Sequence, residues 1–120
     1  MGKARIADAA GRAAVADAVG DFEGAARETR ATAVRWLLQV LADAAEGNSV
    51  EVRVPPFGAV QCIEGPGHTR GTPPNVVEMD AATWIALATG SLPWDEGIAT
   101  ARIRASGQRA DLSAQVPLTL

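Results

Sequence analysis

The sequence predicts an α+β domain: an N-terminal helix, then a mostly antiparallel sheet with short helices on one face. Three observations carry this. Alanine supplies fifteen of the first 47 residues and thins out afterwards. The apolar period changes from helical to two at about position 49. Gly, Pro and Asn clusters then cut the remainder into short pieces.

The strongest helix is "ETRATAVRWLLQVLADAAEGN", residues 28–48. Val34, Leu37, Leu38, Leu41 and Ala45 recur at helical spacing, and Trp36 and Val40 widen the stripe. Gly47 followed by Asn48 reads as its stop. Upstream, residues 4–19 allow an Ala-rich helix around Ile6, Val15 and Val19, or a frayed tail. Residues 1–25 are accordingly set apart as an Ala-rich extension, helical or disordered, and 26–120 as the domain.

"SVEVRV" alternates Val50, Val52 and Val54 against Glu51 and Arg53, the pattern of a half-buried strand. Pro55-Pro56 ends it, so "FGAVQCIEG" is a second strand met at a bend or a sheet edge. "NVVEM" is a third. Asp80 caps a helix, "AATWIALAT", which Gly90 closes. Pro93 suits the first turn of "PWDEGIA". "TARIRAS" is a fourth strand, and "ADLSAQVPL" a short helix or an extended tail.

The chain has 120 residues, one domain by length, and its 48% apolar content suffices for a modest core. A net charge of −3 argues against general phosphate binding, so no nucleic-acid partner is expected. Arg102, Arg104 and Arg109 form a small basic set without an aromatic platform, and a solvated strand face explains them better. A single cysteine excludes an internal disulfide. No N-terminal run is long and apolar enough for a signal peptide or membrane span, so a cytoplasmic location without integral membrane association is expected.

Chemistry-bearing residues gather around "GPGHTRGTPPNVVEMD", residues 65–80, which holds the only histidine. Cys62 and His68 invite a thiolate–imidazole pair. Cys62 nevertheless sits in a strand pattern among apolar neighbours, where a free cysteine is a small core residue. His68, Glu64, Glu78, Asp80 and Cys62 offer too few nitrogen and sulfur ligands for a zinc site. No metal, cofactor or catalytic residue is therefore assigned. Arg70 rides on a loop stiffened by Gly and Pro. The preferred reading is a structural bridge, for example to Glu78. If the loop binds a ligand, Arg70 is the first candidate and His68 the second.

Residues 76–118, "VVEMDAATWIALATGSLPWDEGIATARIRASGQRADLSAQVPL", resemble the sterol carrier protein type 2 family. The pattern is an acidic residue opening a helix, a "TWxxLxTG" turn, a short helix and a strand ending at a glycine. Upstream, "VRVPPFGAVQCIEGPGHTRGTPPNVVE" is similar to a bacterial branch of that superfamily, and to the C-terminal domain of mycothiol-dependent maleylpyruvate isomerases. Those isomerases carry their metal ligands on a separate helical domain, so isomerase activity is not implied. Ala101 stands where the family often has glycine. The resemblance implies an SCP-2-like fold with an apolar ligand tunnel, onto which Trp84, Leu87, Trp94, Ile98 and Ile103 map. The leading expectation is a non-enzymatic binding module for an apolar or amphipathic small molecule such as a lipid, sterol or acyl chain. A protein-interaction or self-association scaffold, compatible with a homodimer, is the alternative. A third is an accessory domain of a thiol-dependent enzyme, with His68 and Arg70 facing a pocket near Cys62.

Overall fold

The computed structural model describes residues 5–66 and 75–120. Their order is helix α1 (Asp8–Gly20), helix α2 (Arg27–Ala44), strand β1 (Val50–Val54), strand β2 (Gly58–Cys62), strand β3 (Val76–Met79), helix α3 (Ala81–Thr89), helix α4 (Trp94–Ala99) and strand β4 (Ile103–Ser106). This is the α+β arrangement read from the sequence.

In α2 the expected stripe is the buried face. Val34, Leu37, Leu38 and Leu41 are all buried, and Trp36 joins them. The helix ends at Ala44, before Gly47. The Ala45 carbonyl accepts from Ile63 N–H at 2.6 Å, and the chain leaves the helix there to enter β1. Gly47 serves a different purpose from the stop expected of it. At φ +148° it passes so close to the Ile63 backbone that a Cβ would stand 2.2 Å from the carbonyl. Only glycine fits such an approach.

Residues 8–20 form a helix, with Gly11, Ala14, Val15 and Ala18 buried. Small residues let α1 lie close to α2, and Trp36 fills the seam. Its indole N–H donates to the Asp8 carboxylate at 3.1 Å, and the Arg12 guanidinium sits 5.6 Å from its ring centroid. Of the other apolar residues expected in α1, Ile6 precedes the helix and is half-buried, while Val19 is 58% exposed.

The sheet runs β2-β1-β3-β4. Strands β1 and β2 form an antiparallel hairpin across Pro55-Pro56, with Val52 opposite Val60. Strand β3 returns parallel to β1, and β4 pairs antiparallel with β3. Val50, Val52, Val54, Val77, Met79 and Ile103 are buried under the helices. The other face carries two ion pairs, Arg53–Glu51 at 2.7 Å and Arg104–Glu78 at 3.0 Å. Alternation along the strands, period two, separates the two faces.

Asp80 caps α3 as expected, accepting from Thr83 N–H at 2.8 Å, and Gly90 ends it in the left-handed conformation at φ 97°. After β4 the chain forms no regular element. Leu112 and Leu118 are buried, and Leu118 N–H donates to the Ala88 carbonyl at 2.9 Å. The tail of residues 107–120 thus closes one end of the core.

Candidate functional site

The residues singled out in the sequence fall in three places. Trp84, Leu87 and Ile103 are packed inside the core. The Trp84 indole N–H reaches the Val34 carbonyl at 3.3 Å, which ties α3 to α2. Trp94 is half-buried and lines a recess of about 410 Å³ with Leu92, Pro93, Val116 and Pro117. Ile98 is 40% exposed and does not line that recess. His68 and Arg70 lie outside the described residues.

Cys62 is buried at the end of β2, and burial pushes its thiol up to about 11. A thiol held so far above the ordinary range is protonated at neutral pH and a poor nucleophile. Glu78, offered as a partner for Arg70, accepts from Arg104 at 3.0 Å, and the bridge to Arg70 lies outside the described residues. Among the described residues no three His, Cys, Asp or Glu side chains come together as metal ligands would. Arg102 and Arg104 are exposed, as the strand alternation implied.

A larger concavity than the Trp94 recess lies elsewhere. A groove of about 540 Å³ runs between α2, the edge strand β2 and the segment Arg5–Ile6. Along α2 it is lined by Arg35, Leu38, Gln39 and Ala42, spaced three and four apart and therefore on one helix face. The opposite wall is Phe57, Gly58, Ala59 and Val60. The walls lie close at Gly58, where a Cβ would be in ordinary contact with a Leu38 methyl at 3.4 Å. Gln39 fixes the third side. Its amide donates to the Ile6 carbonyl and accepts from the Ile6 N–H, each at 3.0 Å.

Charge is unevenly spread along this groove. Near Ile6, Arg5 is paired with Asp43 and holds that carboxyl below the usual carboxylate range. Both partners are well exposed, so solvent screens the pair and it adds little stability. At the Phe57 end, Arg35 Nε–H donates to the Phe57 carbonyl at 2.8 Å. The Arg27 guanidinium lies 5.1 Å from the centroid of the Phe57 ring. Neither of these two arginines forms an ion pair among the described residues.

Sequence reading did not find this groove. Leu38 was read as core, and Arg35, Phe57 and Val60 were not singled out. The available signal was on α2, where the polar Arg35 and Gln39 share a face with Leu38 and Ala42.

The family model described as bacterial SCP ortholog matches residues 26–118, from the residue before α2 into the C-terminal tail. The chain belongs to this family. The sterol carrier resemblance read from "TWxxLxTG" and its flanks is thereby established. The bacterial SCP match spans both principal walls of the groove; only Arg5 and Ile6, on its third side, precede it. No curated protein matches the chain. Among the described residues no helix is long and apolar enough to cross a membrane.

Proposed function

We propose that the chain is a non-catalytic binding module for an apolar or amphipathic small molecule of lipid or acyl-chain type, and that the groove along β2 receives its apolar part. The observation that carries this is the groove itself. Its volume of about 540 Å³ falls within the ~300–1,000 Å³ of small-molecule sites. Ile6, Leu38, Ala42, Phe57, Ala59 and Val60 give its walls an apolar share beside the polar Arg5, Arg35, Gln39 and Asp43. Each methylene buried there contributes about 0.8 kcal/mol, against the cost of immobilising the ligand. Membership in the bacterial SCP family supports the same ligand class. Trp84, Leu87 and Ile103 then act as the packed floor that keeps α2 and α3 in place. Trp94, beside its own recess, is the second candidate contact.

The test is displacement of an environment-sensitive fluorescent fatty acid from the purified protein. Val60→Asp places a carboxylate on the half-buried wall of β2 and is expected to weaken binding by about tenfold or more, at ~1.4 kcal/mol per decade. Circular dichroism checks that the variant folds. Intrinsic fluorescence locates the alternative site. Trp36 and Trp84 are sealed in the core, so a ligand that shifts tryptophan emission occupies the Trp94 recess. A folded Val60→Asp protein that binds like wild type, with shifted emission, moves the site to that recess. Absence of any acyl binding ends the proposal.

A further inference from the structure

We infer that the Phe57 end of the groove is an anion site, built by Arg35 and Arg27, which selects ligands carrying a carboxylate or similar anionic end group and fixes their orientation. This rests on the groove being the binding site.

Arg35 lines the groove, and its Nε–H is used by the Phe57 carbonyl at 2.8 Å. That bond anchors the guanidinium against the hairpin turn and reduces the entropy lost when it meets a ligand. Its terminal nitrogens make no hydrogen bond or ion pair among the described residues. They remain as a planar fork of donors, the geometry that suits a carboxylate. Arg27 brings a second positive charge to the same residue, stacked on the Phe57 ring.

The rest of the molecule sharpens the contrast. Among the described residues, Arg35 lines the groove without an acidic partner, and Arg27, which does not line it, adds a second unpaired charge through its contact with the Phe57 ring. Other arginines have contacts away from the groove's Phe57 end: Arg5 pairs with Asp43, Arg53 with Glu51 and Arg104 with Glu78, Arg30 bonds the carbonyls of Phe22 and Glu23, and Arg12 lies over Trp36. Along the groove, the end at Arg5 and Asp43 is neutralised and the end at Phe57 is not. An amphipathic anion would therefore lie with its charged end at Arg35 and its chain along Leu38, Ala42 and Val60.

Decanoate and decanol share a chain and differ in end group, which makes them the probes. In low-salt buffer near neutral pH, decanoate is expected to displace the fluorescent fatty acid at about tenfold lower concentration than decanol, the worth of one charge-assisted contact. Arg35→Gln should abolish this preference, decanoate losing about tenfold more affinity than decanol, and Arg35→Lys should restore part of it. Arg27→Gln should narrow the preference without removing it. Equal binding of the two probes to wild type overturns the inference. So does a folded Arg35→Gln protein that still prefers the acid. If decanol binds, Val60→Asp weakens it and no acid preference appears, the groove reading survives and the anion site fails. If neither probe binds, both fail together.

Discussion

At the scale of single residues, Ala101 adopts φ 60°, in the left-handed region, just before β4. A Cβ there crowds the following carbonyl, at about 1–2 kcal/mol for an L-residue. The exposed Ala101 side chain has no packing to offset this. Ala101→Gly is therefore expected to stabilise the fold. Glycine's larger unfolded-state entropy opposes the relief of strain by roughly 0.5–1 kcal/mol, which leaves a net gain of about 0.5–1 kcal/mol. That is about 2–5 °C in Tm for a domain of this size, readable by calorimetry. A variant melting below wild type would mean that this turn relaxes freely around alanine. Ile63 shows the same conformation at φ 66°, and here the surroundings impose it. Its N–H goes to Ala45, and its carbonyl accepts both Ser49 N–H and the Ser49 hydroxyl at 2.6 Å. The strained residue and the close-approach glycine, Gly47, are two sides of one crossing.

At the scale of elements, the seam between α1 and α2 depends on one missing side chain. A Cβ on Gly11 would stand 2.1 Å from Trp36 Cγ, and the Trp36 ring is wedged with 1% exposure. Gly11→Ala gains at most about 1 kcal/mol of helix propensity. Overpacking against a rigid ring costs about 1–3 kcal/mol, and so short a distance belongs at the upper end. The expected net loss is about 1–2 kcal/mol, measured as a lower urea midpoint at unchanged slope. An equal or higher midpoint would show that the helices separate without cost. This seam also marks how far the sequence could be read. The stripe Val34–Leu41, the Asp80 cap and the alternation of Val50, Val52 and Val54 were legible because each is local, a period or a cap within one element. Gly11 against Trp36, Arg35 against Phe57 and Gly47 against Ile63 were not. Each joins positions 16 to 25 residues apart, and no local pattern records such a meeting. The groove is made of these long-range meetings. Trp84 meets the same limit: its apolar spacing is the same whether the ring lines a tunnel or fills a core.

At the scale of the whole molecule, the bacterial SCP match and the packing draw different boundaries. The match begins at residue 26, yet α1 ahead of it buries Ala14, Val15 and Ala18 and covers Trp36 from α2. Burying a side chain such as Val15 contributes about 1.5–3 kcal/mol, and the covered face of Trp36 contributes a similar amount. Together these are a large share of the ~5–15 kcal/mol that holds a domain folded. Removing residues 1–25 should then leave a chain that folds marginally or not at all at 37 °C. Trp36, stripped of its neighbours and of the Asp8 acceptor, should shift its emission to the red, and the melting transition should fall by more than 10 °C on the same reasoning. The groove would lose its Arg5–Ile6 side as well, so fatty-acid displacement should weaken even where the shortened protein folds. A shortened chain with unchanged emission, melting and binding would show that residues 26–120 stand alone and that α1 is an accessory.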